Sequence, residues 1–208
     1  MAAAVAAADL VEDGMLVGLG TGSTVAHFLT ALARRRLSIR CVATSPRTEA
    51  AARRLGIEVE PFAHLDRLDL AIDGADQIAP DGWLLKGGGA AHTREKLVAV
   101  TAERFVVIAD STKSVVRLHG PVPVELISFG LGSTLHRLDT VRLRNVPPSP
   151  DGGIIADFTG PFDDPGALAL RLSSTPGVIE HGLFPPGMVT MALVAQGAVV
   201  KRLIFAAH

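Results

Sequence analysis

Short apolar segments alternate with helix-patterned segments through the first half of this chain. Residues Met15–Leu19 form an apolar run suited to a buried strand, a glycine-rich turn follows, and Val25–Arg36 carries apolar residues at helical spacing. Strand, glycine-rich turn and helix, in that order, open a βαβ unit. Further apolar runs occupy 39–43, 68–72 and 105–109, with helical patterns between most of them. This alternation predicts an α/β fold built on a parallel sheet.

The pattern changes after Pro121, where prolines and glycines become frequent. Residues 147–153 are a proline- and glycine-rich loop, 154–158 resemble a strand and 165–173 resemble a helix, which together indicate a small α+β module. The apolar segments that follow are predicted to return to the first sheet. They cover 188–194 and 198–205. The other predicted elements are helices over 2–12, 48–55 and 92–103 and a short strand over 57–59.

The composition is that of an ordinary globular protein and excludes several classes. The 208 residues are 48% apolar and 20% charged, and the net charge of -1 gives no long-range attraction to nucleic acid or anionic membranes. One cysteine, Cys41, excludes a disulfide framework and fits a buried strand position. The apolar runs are too short to cross a membrane, and the alanine-rich start lacks the basic region of a signal peptide. A cytoplasmic location is the resulting expectation.

The most chemically suggestive stretch lies between residues 71 and 96. Asp73 and Asp76 follow a buried strand, Lys86 precedes the glycines 87–89, and Glu95 lies near a predicted helix start. Bases, a cation and a flexible backbone are what proton transfer next to a carbonyl requires. Each feature also has an ordinary alternative, namely an Asp-Gly turn, a flexible linker or a solvated helix start.

A second glycine-rich segment, 18–24, precedes the first predicted α/β helix. Backbone N–H groups at a helix start bind anions, and Thr21, Ser23 and Thr24 add hydroxyl donors. The glycine spacing does not match a dinucleotide fingerprint, and the second strand ends in Thr44-Ser45, without an acid for a ribose hydroxyl. An anion site is favoured over an NAD site, and a turn without a ligand is the alternative.

Lysine is scarce in this chain. Three of the four lysines lie at 86, 96 and 113, close to the motifs, and the other sixteen basic residues are arginines. Lys113 follows a predicted strand and is either a surface residue or a contact to a phosphate or hydroxyl group. The seven histidines show no spacing typical of metal ligands, so no metal site is predicted, although His92 could line the site.

With these residues assembled, the chain resembles the ribose-5-phosphate isomerase A family. Five motifs carry the resemblance and together are highly specific, although each alone is weak. They occur in the family's order and spacing over most of the first 126 residues: VGLGTGST at 17–24, AIDGADQI at 71–78, LLKGGGAAHTREK at 84–96, IADSTK at 108–113 and VPVEL at 122–126.

The resemblance implies interconversion of D-ribose 5-phosphate and D-ribulose 5-phosphate in the non-oxidative pentose phosphate pathway. It implies a Rossmann-like, mostly parallel sheet domain over 1–122 and 187–208 and a smaller α+β (ferredoxin-like) lid domain over 123–186. It also implies a homodimer or homotetramer, a sugar phosphate as the small-molecule partner, and neither metal nor cofactor.

Residue roles carried over by motif make Glu95 the general base, with Asp73, Asp76 and Lys86 as further catalytic residues. The roles of the two aspartates stay open at this point. The implied substrate contacts are Thr21, Gly22, Ser23, Thr24, Asp73, Gly74, Ala75, Asp76, Lys86, Gly87, Gly88, Gly89 and Lys113.

The sequence departs from the family at two places. The lysine that the family usually carries near its N-terminus is absent from residues 1–4, and Gln77 replaces the glutamate of the family's Asp-Gly-Ala-Asp-Glu. Two other functions are alternatives to isomerisation: a non-catalytic sugar-phosphate-sensing domain, and a coenzyme A transferase, which the Lys-Gly-Gly-Gly run fits less well.

Overall fold

The computed structural model describes residues 1–205. Within that range the strands are β1 (Leu16–Leu19), β2 (Arg40–Ala43), β3 (Leu70–Asp73), β4 (Gln77–Ile78), β5 (Leu84–Leu85), β6 (Phe105–Asp110), β7 (Val122–Leu126), β8 (Val141–Leu143), β9 (Ile154–Phe158), β10 (Val178–His181), β11 (Leu183–Phe184), β12 (Met191–Gln196) and β13 (Val199–Ile204). The helices there are α1 (Ala2–Ala8), α2 (Ser23–Arg35), α3 (Pro46–Arg54), α4 (His92–Thr101), α5 (Leu131–Leu138) and α6 (Pro165–Ser173).

The largest sheet contains six strands in the order β13-β12-β6-β3-β1-β2. All neighbouring strands are parallel except β12 and β13, which form an antiparallel hairpin at one edge. Apolar side chains cover both faces: Phe28 and Leu32 of α2 pack on one side, and Val98 of α4 packs on the other. Burial on both faces explains why the central strands appear as continuous apolar runs. The predicted parallel α/β fold and the return of the C-terminal strands are confirmed.

A second sheet is antiparallel, with the strand order β10-β7-β9-β8. Helices α5 and α6 interrupt its strands in the chain order β7-α5-β8-β9-α6-β10, which is the ferredoxin-like arrangement. Apolar residues of the sheet and helices, such as Phe158 and Leu172, form a separate core. The predicted smaller α+β module is therefore confirmed. Its boundaries at 123 and 186 remain a prediction, and the last three residues of the 187–208 segment lie outside the described residues.

A third sheet, not predicted from the sequence, links distant parts of the chain. Strand β5 pairs antiparallel with β4 on one side and with β11 on the other, so Leu84 lies opposite Phe184. The backbone N–H of Lys86, directly after β5, donates to the carbonyl of Gly182 at 2.9 Å. This small sheet fixes where Lys86 leaves the strand.

Some predicted boundaries were wrong. The expected strand over 57–59 is reduced to a single bridge between Val59 and Cys41. Helix α1 ends at Ala8 instead of residue 12, and α2 begins at Ser23, two residues earlier than its apolar period indicates. Helix α3 also begins early, because the Ser45 side chain accepts from the Thr48 backbone N–H and caps it. Across residues 1–205, none of the helices is both long and apolar enough to cross a bilayer.

Candidate active site

A cavity opens beyond the carboxyl ends of β1, β3 and β6. Ligands of parallel α/β sheets bind at this edge. All the implied substrate contacts except Asp73 line this cavity. Asp73 lies behind the cavity wall, and Glu95 is a further lining residue. The lining residues are Thr21, Gly22, Ser23, Thr24, Gly74, Ala75, Asp76, Lys86, Gly87, Gly88, Gly89, Glu95 and Lys113.

Lys86 holds two carboxylates together at the cavity wall. Its Nζ lies 3.0 Å from Asp73 Oδ2 and 3.1 Å from Glu95 Oε2, and it donates to the carbonyl of Gly74 at 2.5 Å. The side chains of all three ionisable residues are at most 4% exposed. The three N–H donors of the ammonium therefore have three nearby oxygens, and the cavity meets this cluster at Lys86 and Glu95.

The electrostatics of the cluster favour a strong base. Burial raises the pKa of Glu95 to about 8, and the charge of Asp73 adds to the rise while Lys86 opposes it. Burial also raises the pKa of Asp73, against the lowering effect of Lys86. Burial alone would lower the pKa of Lys86, but the two carboxylates outweigh it and the pKa is raised. Lys86 therefore stays charged while the carboxylates compete for its stabilisation.

Asp73 is held rigidly from the side opposite Lys86. Its Oδ1 accepts from the backbone N–H groups of Thr21 at 3.0 Å and Gly74 at 2.7 Å. Its side chain fills the space beside Gly20, where an added Cβ would lie 2.0 Å from Asp73 Oδ1. A glycine at position 20 is therefore needed for Asp73 to reach both loops.

Asp76 has a different environment. It lines the cavity, is partly exposed, and its Oδ2 accepts from the backbone N–H of Gly88 at 2.8 Å. Only two residues lie between the two aspartates, yet Asp73 is buried against Lys86 and Asp76 faces the cavity beside the glycine run. Only Asp76 of the two is placed to touch a ligand directly.

The hydroxyl of Thr21 belongs to a small polar network. Its Oγ1 lies 2.8 Å from Thr44 Oγ1 and donates to Ser45 Oγ at 2.8 Å. The Thr48 hydroxyl donates to the carbonyl of Gly20 at 2.8 Å. The residues that end β2 and open α3 thus anchor the glycine-rich loop, a role that the sequence did not reveal.

An aromatic ring lies beneath Lys86. The Lys86 Nζ is 5.5 Å from the centroid of the Phe184 ring, and the Lys96 Nζ is 4.9 Å from the same centroid. An added Cβ on Gly182 would lie 2.1 Å from the Lys86 carbonyl oxygen, so the strand that carries Phe184 approaches the lysine closely. From the sequence alone, neither Gly182 nor Phe184 was given a part in the site.

Similar proteins identify the family. The sequence model of ribose 5-phosphate isomerase A (phosphoriboisomerase A) matches residues 40–198. The ribose-5-phosphate isomerase A of Methanosarcina acetivorans is 48% identical over 199 residues, covering 88% of this chain and 85% of that protein. That of Caulobacter vibrioides is 48% identical over 214 residues, covering 95% and 94%. The chain belongs to the ribose-5-phosphate isomerase A family.

Solved structures of the family agree with this fold. Ribose 5-phosphate isomerase A from Neisseria gonorrhoeae superposes with a TM-score of 0.93 at 31% identity, covering 98% of this chain and 95% of that one. A D-ribose-5-phosphate isomerase in complex with phospho-erythronic acid has a TM-score of 0.91 at 34% identity, covering 97% and 96%.

The two departures from the family pattern both lie outside the cavity lining. Gln77 does not line the cavity: its amide accepts from the backbone N–H of His119 and donates to the carbonyl of that residue, each at 2.9 Å. The lysine-free N-terminus forms α1, whose residues Ala3, Ala4, Ala7 and Ala8 are buried in the main core. Gln77 therefore holds the backbone of His119, and the N-terminal helix contributes to the core.

Two charged or polar neighbours of Glu95 on α4 are buried. His92 is completely buried and does not line the cavity, and burial lowers its pKa to about 4. Lys96, which follows Glu95 on the same helix, donates to Glu180 at 2.6 Å and to the carbonyl of His181 at 2.7 Å. In residues 1–205, no cluster of three or more His, Cys, Asp or Glu side chains could hold a metal ion.

Proposed function

We propose that this chain interconverts D-ribose 5-phosphate and D-ribulose 5-phosphate. The observation that carries the proposal is the Asp73–Lys86–Glu95 cluster at the wall of a cavity in a protein of this family. A similar protein was solved with phospho-erythronic acid, a sugar acid that, like the proposed substrate, carries a phosphate group on a hydroxylated carbon chain. The proposal includes no metal or cofactor and, as the resemblance implies, a homodimer or homotetramer.

In this reaction Glu95 moves one proton between two carbons. It removes the proton from C2 of the open-chain aldose and returns it to C1 of the resulting enediolate, while the proton of the C2 hydroxyl passes to the oxygen on C1, which gives the ketose. A carboxylate with a raised pKa is a stronger base than an ordinary glutamate, and its burial next to the cavity excludes water that would otherwise compete. A positioned base of this kind contributes roughly 10²–10⁴-fold to the rate.

Lys86 compensates the charge that moves during the transfer. When Glu95 accepts the proton, its negative charge disappears and a negative charge develops on the carbonyl oxygen of the sugar. The ammonium that was 3.1 Å from Glu95 can then donate to that oxygen without moving far. Asp73, 3.0 Å from the Lys86 Nζ, also holds that ammonium.

The structure supports a division of roles between the aspartates. Asp76 faces the cavity, so we assign to it the proton transfers that open the sugar ring. Asp73, buried and bonded to two backbone N–H groups, is assigned to orienting Lys86. The phosphate group is assigned to the start of the 13-residue helix α2, where Ser23 and Thr24 line the cavity, and to Lys113.

The direct test is to mix the purified protein with ribose 5-phosphate and follow ketose formation, with and without a chelator. We expect conversion at the same rate in both samples. Binding of ribose 5-phosphate without conversion would favour the sensing function instead, and a rate lost to the chelator and restored by a divalent metal would contradict the metal-free mechanism.

A further inference from the structure

The Arg144 side chain, outside the cavity, reaches the glycine run that lines it. Arg144 follows strand β8 of the ferredoxin-like sheet, and its Nη1 donates to the carbonyl oxygen of Gly87 at 2.8 Å. That carbonyl also accepts from the Ala90 backbone N–H at 3.1 Å. The smaller sheet therefore contacts the backbone that follows Lys86.

The guanidinium of Arg144 is itself fixed. Its Nε and Nη2 donate to the two carboxylate oxygens of Asp157 at 2.9 and 2.6 Å. The Arg144 side chain is 18% exposed and that of Asp157 is 8% exposed. Bidentate pairing of a planar guanidinium with a mostly buried carboxylate gives a defined direction to the remaining N–H group.

The bond to Gly87 determines where the next N–H points. In a trans peptide the C=O of one residue and the N–H of the next point in opposite directions. With the Gly87 carbonyl held by Arg144, the Gly88 N–H points toward the cavity, where it donates to Asp76 at 2.8 Å. Gly87 adopts φ +103°, a conformation from which glycine can rotate readily without such a bond.

We propose that Arg144 is a positioning residue that locks the Gly87–Gly88 peptide in the orientation needed by Asp76. This inference rests on the proposed function, because the role of Asp76 in the reaction is itself part of that proposal. Without Arg144 the peptide can rotate, the N–H no longer restrains Asp76, and the chemical step slows while the phosphate contacts at α2 and Lys113 remain.

The test compares Arg144→Ala with Arg144→Lys and with Arg142→Ala as the matched control, because Arg142 is an exposed arginine on the neighbouring strand β8. We expect Arg144→Ala to lower kcat about tenfold or more with KM within about threefold, Arg144→Lys to recover part of the loss, and Arg142→Ala to match the wild type. A folded Arg144→Ala protein with kcat within twofold of the wild type overturns the proposal.

A second measurement does not depend on turnover. Amide hydrogen exchange at Gly88 in the free protein is expected to be about tenfold faster in Arg144→Ala than in Arg142→Ala, and equal rates overturn the proposal. If Arg144→Ala does not fold, Arg144→Lys and Asp157→Asn give the same comparison. A wild-type protein that fails to convert ribose 5-phosphate overturns the proposed function, whereas the exchange rates still test the position of the peptide.

Discussion

Lys86 keeps its ammonium between two buried carboxylates, so the cluster carries net negative charge when both acids are ionised. Charge in a protein interior is costly unless it is paired, and one cation cannot fully stabilise two anions. Glu95 shows the effect of this cost. Burial and the charge of Asp73 together raise its pKa to about 8. At the scale of the residue, the site is arranged so that one particular glutamate gains most by accepting a proton.

Replacing that glutamate should separate chemistry from binding. We expect Glu95→Gln to lower kcat by roughly 10²–10⁴-fold, because an amide cannot accept the C2 proton, while the sugar phosphate still binds. Turnover of ribose 5-phosphate and binding of phospho-erythronic acid are the two measurements. Glu103→Gln, which removes an exposed glutamate paired with Arg67, is the control. Near-normal turnover in the Glu95 variant would eliminate Glu95 as the base.

The pH dependence of the rate should report the same group. Glu95 acts as a base only when it has lost its proton, and its pKa lies near 8 instead of the ordinary range near 4.5. We therefore expect kcat/KM to rise as the pH increases from 6 through about 8 and then to level off. A profile already flat above pH 5 would show that the working base is an ordinary carboxylate.

At the scale of the element, the three-stranded sheet positions Lys86, the lysine to which charge stabilisation is assigned. Strand β5 ends at Leu85, and the N–H of Lys86 pairs with Gly182 just before β11 begins. Helix α4 is fixed in turn by contacts with the smaller module: Thr93 donates to the buried Glu125 of β7, and Arg94 pairs with Asp151 in the loop between β8 and β9. The elements that carry Lys86 and Glu95 are therefore oriented by neighbours from the later part of the chain.

Crowding this sheet should impair both folding and turnover. We expect Gly182→Ala to lower the free energy of unfolding by about 1–3 kcal/mol, since its Cβ would lie 2.1 Å from the Lys86 carbonyl oxygen, and to lower kcat by displacing Lys86. Urea unfolding and steady-state kinetics measure the two effects. Gly187→Ala is the control, since an added Cβ there meets nothing within 4 Å. Equal stability and rate in both variants would contradict the assigned role of the sheet.

At the scale of the whole molecule, the buried titratable groups link protonation to stability in both directions. The folded-state pKa of Glu95 is raised, so the folded protein holds more protons than the unfolded chain between pH 4.5 and 8. The contribution of Glu95 to the free energy of unfolding consequently falls as the pH rises through that window. Burial lowers the pKa of His92 to about 4 and that of His181 to about 3. The contribution of these two histidines to the free energy of unfolding therefore rises with pH up to about pH 6.5.

Comparing the wild type with Glu95→Gln isolates one of these contributions. Both proteins keep the two histidines, so the difference between their unfolding free energies reports Glu95 together with its coupling to Asp73. We expect the wild type to lose stability relative to Glu95→Gln as the pH rises from 5 to 8, at up to about 1.4 kcal/mol for each unit of pH. Urea unfolding at pH 5, 6.5 and 8 measures this, and a constant difference would show that the Glu95 pKa is not raised.

The sequence was sufficient to predict the fold class and the residues around the cavity. Asp73 and Lys86 could be found because each follows an apolar strand in a motif of unusual composition, and parallel strands bring their carboxyl ends to one edge. Arg144 and Phe184 could not be found, because their contacts join segments about 57 and 98 residues away along the chain, and no local pattern encodes such pairings. The predicted strand over 57–59 was wrong because a short apolar run does not determine whether a partner strand is available.

The link between β5 and β11 has a consequence for synthesis on the ribosome. By residue 113 a nascent chain already contains the whole set of side chains assigned to chemistry and substrate contact, yet the support for Lys86 arrives with residues 182–184. Domains generally form as units once their last interacting segment has emerged. A growing chain therefore carries the acids and the lysine of the cluster well before it can hold them in the dry, paired state that gives them their reactivity.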